Sequence, residues 1–222
     1  MVQLDQAAMI EHGVKDTAYV SVRHKFIWVQ VPKSASSSCE KIINSNITHN
    51  IVPVGPSSKV AMLKYPDYYS FTFVRNPWDR VVSCYCDRVQ RLRFYDYDVN
   101  AYDPKGFKDM GLNSGVSFNK FVSIICDQDD DNSDYHWRAQ HSFITIDDKV
   151  LVKFIGKVET FTEDWEKLFE LLNWNIKKVF HMNKSVAEVR KHRSYKNYYN
   201  STTKALVAKR FEKDIDTFKY TY

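Results

Sequence analysis

The residues best suited to chemistry lie between Phe26 and Ile43. An apolar run ends at Pro32 and gives way to Lys33-Ser34-Ala35-Ser36-Ser37-Ser38, and Cys39-Glu40-Lys41-Ile42-Ile43 then resumes an apolar pattern. Read as strand, turn and helix, the segment sets the unpaired N–H groups of a helix start beside a lysine and several small hydroxyl side chains. Helix starts of this kind attract anions through their N–H groups and their partial positive charge. Small side chains let an oxyanion come close to the backbone, so the turn suits phosphate or sulfate. Val31 and Pro32 precede Lys33 and the turn holds no glycine, which excludes the G-x-x-x-x-G-K-[ST] loop of nucleoside triphosphatases. With no anion bound, the same pattern is a helix capped by Ser34 or Ser36 with a surface lysine.

A second group follows in Phe73-Val74-Arg75-Asn76-Pro77-Trp78-Asp79-Arg80. Arg75 falls at the end of a predicted strand, the edge at which open α/β sheets hold ligands. Its guanidinium can grip a phosphate through two parallel hydrogen bonds. Ser83 lies about two turns along the next helix, and Asp79 with Arg80 would form a structural pair. A third group is His136, which follows an acidic stretch over residues 127–134. An imidazole titrates near neutrality and can take a hydroxyl proton. Trp137 beside it would cover a sugar ring or a base.

These groups need elements to hold them. Partial alternation and β-branching predict strands over residues 24–31, 69–74 and 150–158. Helices are expected over residues 78–89, with Val81, Val82 and Tyr85 inward, and over residues 118–125 behind a Ser117 cap. Thr160 with Glu163 reads as a capping box for a helix over residues 163–172. A last helix is expected from Thr202 to about Phe218. Residues 50–64, with Pro53, Gly55 and Pro56, read as a loop with a short helical piece. The basic run of residues 184–196 is either a ligand-facing loop or a solvated charge run. Strands alternating with helices predict a three-layer α/β domain with a mainly parallel sheet.

The 222 residues fit a single domain, residues 1–222, and a hydrophobic fraction of 44% suffices for its core. The formal charge of +5 suits an anionic ligand. Cys39, Cys84, Cys86 and Cys126 make neither a disulfide framework nor a zinc set. The acidic stretch lacks the glycine and closing glutamate of a calcium loop. No apolar stretch reaches the length of a membrane span, and the first residues lack a signal-peptide pattern. The expected compartment is therefore the cytoplasm, with no membrane partner.

Taken together, the first two segments resemble the sulfotransferases that use PAPS (3'-phosphoadenosine 5'-phosphosulfate), and among them the carbohydrate sulfotransferases. Val31-Pro32-Lys33-Ser34 is similar to the family's 5'-phosphosulfate turn. Phe73, Val74, Arg75, Asn76, Pro77, Arg80, Ser83 and Tyr85 match its 3'-phosphate segment F-V-R-N-P-x-x-R-x-x-S-x-Y. His136-Trp137 with Gln140 resembles its H-W-x-x-Q, Phe154 to Glu159 its F-I-G-K-x-E, and His181-Met182-Asn183-Lys184-Ser185 its H-x-N-x-S. The likeness extends over about residues 24–220.

The resemblance implies a P-loop-like sulfotransferase fold and PAPS as donor, with PAP as product. Lys33 would act on the transferring group. Ser34, Ala35, Ser36, Ser37 and Ser38 would line the 5'-phosphate, Arg75 and Ser83 the 3'-phosphate, and Asn183 and Ser185 would lie near the donor. His136 is the expected base. Glu40 is the alternative, because related enzymes use a glutamate on this helix, one residue away. The acceptor would be a hydroxyl of a glycan or glycosylated metabolite. Ala35 departs from the family's glycine and fits easily only if its φ is negative. Two other classes compete. A nucleotide kinase needs magnesium ligands and a glycine-rich phosphate loop, and a nucleic-acid-binding protein would have to tolerate the acidic stretch.

Overall fold

A computed structural model describes residues 18–46, 51–54 (backbone only), 58–90, 110–113, 115–174 and 194–222. Asn183, Ser185 and most of the basic run lie outside the described residues. The strands are β1 (Ala18–Ser21), β2 (Phe26–Val29), β3 (Ile51–Val54), β4 (Tyr69–Val74), β5 (Thr145–Ile146), β6 (Lys149–Val150) and β7 (Phe154–Lys157). The helices are α1 (Ser36–Asn46), α2 (Ser58–Lys64), α3 (Pro77–Tyr85), α4 (Phe118–Cys126), α5 (Phe161–Leu172), α6 (Ser201–Arg210) and α7 (Glu212–Phe218). They divide between two compact units, Met1–Val74 with Gln140–His181, and Arg75–Ala139 with Met182–Tyr222.

The first unit holds a sheet in the order β3-β1-β2-β4-β7. β2, β4 and β7 are parallel neighbours, and β1 runs antiparallel to both β2 and β3. All strands of this sheet but β1 therefore point the same way, as expected for a mainly parallel α/β sheet. The β1–β2 hairpin is new: its turn puts Lys25 at φ +50°, and the expected long first strand is shortened to Phe26–Val29. β3 also replaces an expected loop. Its Pro53 is tolerated because β3 is the sheet's edge, where a missing N–H leaves no ladder bond unmade. β5 and β6 form a separate small hairpin ahead of β7.

One face of the sheet is aromatic. Phe26, Trp28, Phe71 and Phe73 alternate along β2 and β4 and pack with Cys39, Ile42 and Ile43 of α1 and with Phe161, Trp165 and Leu168 of α5. The intervening Ile27 and Val29 are equally buried, and α2 packs on β1 and β2 with Ala61 and Met62 inward. α5 starts at Phe161, earlier than expected, and the Thr160–Glu163 capping box does not form. The Thr160 hydroxyl instead donates to Asp164, which also accepts from the Lys157 N–H and from Lys167. Burial alone would raise the Asp164 pKa, but these three donors hold it below the ordinary carboxylate range.

The second unit is helical. Asn76 caps α3 by accepting from the N–H groups of Trp78 and Asp79, and Pro77 occupies the first turn. α3 ends at Tyr85 and continues as a π turn, Cys86–Gln90. Val81, Val82 and Tyr85 are buried as expected, in a core with Phe118, Phe121, Ile125, Val207 and Phe211. Ser117 caps α4 by accepting from the Lys120 N–H. The expected last helix breaks at Phe211 into α6 and α7, and Asn200 with Thr203 forms the capping box of α6. Among the described residues no helix is long and apolar enough to cross a membrane.

Gly156 gives the F-I-G-K pattern of β7 a packing reason. It pairs with Phe73 across the sheet, and a Cβ at position 156 would strike the Phe73 ring. That ring is fixed by stacking on Trp165 at a centroid distance of 5.0 Å. Gly156→Ala should therefore destabilise the protein by about 1–3 kcal/mol through overpacking. Urea denaturation measures this, and unchanged stability would mean that the ring yields.

Candidate active site

The turn between β2 and α1 is built from alternating backbone signs. Lys33 has φ +65° and Ala35 φ +61°, while Ser34 between them is not in the left-handed region. Such alternation turns successive N–H groups toward one concavity, an arrangement that binds anions. Ala35 thus adopts the conformation that a glycine would favour, and not the negative φ at which alanine fits easily. A left-handed non-glycine residue costs about 1–2 kcal/mol, and packing of Ala35 against the aromatic cluster offsets part of that.

The serines bind the turn to its own unit. The Ser34 hydroxyl, buried, donates to Gln140 Oε1 at 2.9 Å. The Ser36 hydroxyl donates to the Val31 carbonyl at 3.0 Å. Neither acts as the expected helix cap, because the Ala35 carbonyl opens α1 by accepting from Ser38 and Cys39. With the Ser34 and Ser36 hydroxyls so engaged, an anion here would meet backbone N–H groups, the partly exposed Lys33 and the exposed Ser37, while Ser38 is buried. Glu40 is exposed on α1. Burial, and then the charge of Glu40, push the Tyr19 phenol up.

Arg75 directly follows β4 and opens the second unit. Its Nε donates to Asp79 at 2.8 Å and its Nη2 lies 2.7 Å from the same oxygen. Asp79 therefore pairs with Arg75 and holds the guanidinium in a fixed plane. Arg80 is a buried core residue whose Nη1 donates to the Arg138 carbonyl. Burial pushes its pKa down to about 10, opposed by the charge of Asp214. Ser83 is likewise buried on α3.

His136 is braced on both ring nitrogens. Nδ1 donates to Asp134 Oδ1 at 2.6 Å, and the His136 backbone N–H reaches the same oxygen at 2.8 Å. Arg88, on the π turn, donates to Nε2. This pattern assigns the ring proton to Nδ1 and the lone pair to Nε2. Burial alone would raise the Asp134 pKa, but His136 and then Arg88 outweigh it and hold the carboxyl below its ordinary value. Trp137 is a core residue, corrected from its expected place over a ligand ring: it is buried, donates to Gln128 and packs edge-on against Phe121.

The first unit thus brings Lys33, Ser34, Ala35, Ser36, Ser37, Ser38 and Glu40 onto one turn and helix, with Gln140 against it. The second unit carries Arg75, Ser83 and His136. Gln140, Asp79, Asp134 and Arg88 were not expected in these roles. The H-W-x-x-Q spacing was the only sequence signal for Gln140.

The chain matches the model of the sulfotransferase family over residues 16–221, which cross both units. It is 26% identical to human carbohydrate sulfotransferase 9 over 179 residues, covering 69% of this chain and 40% of that protein. It is 22% identical to mouse carbohydrate sulfotransferase 14 over 170 residues, covering 68% and 45%. It is 24% identical to mouse carbohydrate sulfotransferase 8 over 180 residues, covering 70% and 43%. The chain spans less than half the length of these curated relatives. No solved structure matches.

The depressed Asp134 pKa makes a stability prediction. A carboxylate with a lowered folded pKa stabilises fully above its unfolded value, about 3.9, and loses that contribution as pH falls through the folded value. The stability gap between wild type and Asp134→Asn should therefore be larger at neutral pH than in acid below the carboxylate range. Urea denaturation at both conditions measures it, and an equal gap would contradict the bracing of His136.

Proposed function

The chain belongs to the sulfotransferase family, and we propose that it moves the sulfuryl group of PAPS to a hydroxyl of a carbohydrate or glycosylated metabolite. The observation that carries this is the alternating-φ turn of Lys33 and Ala35 just before α1, a backbone form that suits an anion and that carries a partly exposed lysine. Residues 1–222 are read as one sulfotransferase domain.

When bound, the donor supplies an activated sulfuryl group and leaves as PAP. Lys33 would neutralise charge that builds on the leaving oxygen, and the N–H groups of residues 35–37 would hold the 5'-phosphate, since the Ser38 N–H already donates to the Ala35 carbonyl. Arg75, fixed by Asp79, would hold the 3'-phosphate with Ser83, and this contact would separate PAP from simpler nucleotides. Asn183 and Ser185 stay assigned near the donor by family resemblance.

His136 has the orientation that a general base needs, since Asp134 fixes its tautomer and turns the lone pair to Nε2. Arg88 must withdraw from Nε2 before the acceptor proton can move there. Glu40 needs no such displacement, being exposed on the helix that follows the Lys33 turn. The anionic character of the turn's ligand also fits a nucleotide kinase, but the turn lacks the glycines before Lys33 that kinase phosphate loops use.

Calorimetry separates these readings. PAP should bind without magnesium, with ATP and a random oligonucleotide binding far more weakly. Arg75→Ala should weaken PAP by about 1.5–3 kcal/mol, the scale of a charged hydrogen-bonded contact, and 5'-AMP much less. Equal affinity for PAP and ATP would contradict the donor assignment.

The base is tested by turnover at saturating PAPS and acceptor. His136→Ala should cut turnover by about 10²–10⁴-fold with PAP affinity retained. Near-normal turnover there, with collapse in Glu40→Ala and both variants folded, would move the base to Glu40.

A further inference from the structure

The conformation of residues 33–35 is costly and needs a reason to persist. Two non-glycine residues, Lys33 and Ala35, hold positive φ within the turn. Backbone in such regions persists where the surroundings over-determine it. The residue between them, Ser34, is buried, and its hydroxyl donates to Gln140, which is itself fully buried. Gln140 lies more than a hundred residues away along the chain, so the contact is tertiary and not part of the local turn. Two further ties on the turn, Ser34 N–H to the Val31 carbonyl and Ser36 hydroxyl to the same carbonyl, are local and would survive a change in how the turn is held.

We infer that Gln140 is a positioning residue for the donor: through Ser34 it latches the turn in its anion-binding form. It would set donor affinity without contacting the donor. The physical basis is a two-state turn, one form with its N–H groups convergent and one relaxed. Donor affinity scales with the fraction in the convergent form. Ala35 biases the turn toward the relaxed form because its Cβ disfavours positive φ, and the buried Ser34–Gln140 hydrogen bond biases it back.

The latch rests on the proposed reading of PAP as the ligand of the turn, and it has a consequence that a merely structural glutamine would not share. Gln140→Leu should weaken PAP about tenfold in the wild-type chain. In an Ala35→Gly background, where the convergent form no longer carries the Cβ penalty, the same substitution should weaken PAP about threefold or less. Ser34→Ala, the milder variant, should reproduce the Gln140→Leu loss, and the two together should cost no more than either alone.

The measurement is PAP affinity by calorimetry for wild type, Gln140→Leu, Ser34→Ala, their double variant, Ala35→Gly, and Gln140→Leu with Ala35→Gly, with thermal unfolding alongside. Absence of PAP binding to the folded wild type would overturn the donor assignment itself. Binding by wild type, with Gln140→Leu costing the same in the wild-type and Ala35→Gly backgrounds, would overturn the latch. So would losses that multiply between Ser34→Ala and Gln140→Leu, or lowered thermal stability with unchanged PAP affinity. If Gln140→Leu does not fold, Ser34→Ala with and without Ala35→Gly decides by the same comparison.

Discussion

The constraint on which the first unit depends is the reversal of backbone sign at Lys33 and Ala35. A turn of this kind cannot stand alone, since each left-handed residue opposes it. It stands because both its ends are fixed. β2 is buried throughout and Pro32 sets the exit of the chain. α1 is seated by Cys39, Ile42 and Ile43 on the same aromatic face that holds Phe26, Trp28, Phe71 and Phe73. The aromatic core and the anion turn are therefore consecutive links: the packing of β2 and α1 defines the gap that the turn must close, and closing it in so few residues turns the N–H groups inward.

The second unit solves a similar problem with a cap instead of strain. Asn76 does two jobs with one side chain. Its Oδ1 accepts from the first N–H groups of α3, and its Nδ2 donates to the Thr221 carbonyl at 2.8 Å. The Tyr199 hydroxyl donates to the Trp78 carbonyl, and the Tyr222 ring packs edge-on against Trp78. The start of α3, and Arg75 just before it, are thus held by residues near the far end of the sequence. Tyr199 and Tyr222 thus support the helix start that follows the F-V-R-N-P run. Arg80 in that pattern serves the core, where its buried charge is answered by the Arg138 carbonyl and the field of Asp214.

Much of this was legible in the sequence because it rests on local rules. Strands β2 and β4, the Pro77 start of α3 and the Ser117 cap follow from periodicity and capping chemistry. What was not legible depended on partners far along the chain. Pro53 argued against a strand until β3 proved to be an edge. Thr160 and Glu163 matched a capping box, but Asp164, one residue further, gains two additional donors from Lys157 and Lys167 and takes the hydroxyl. Trp137 looked like a ligand platform because its indole N–H gave no hint of Gln128 as partner. Ala35 looked unsuited to positive φ, and the bond of its neighbour Ser34 to Gln140 joins residues more than a hundred positions apart.

The central claim is that the backbone of the Lys33 turn receives the donor's anionic end, while the Ser34 and Ser36 hydroxyls stay bound within the protein. Heteronuclear NMR of the backbone amides during PAP titration tests it most directly. The account predicts large downfield proton shifts for the amides of residues 35–37, the signature of new hydrogen bonds to an oxyanion, with the Ser34 hydroxyl still donating to Gln140. Shifts confined to other amides, with those of residues 35–37 unmoved at saturation, would contradict it.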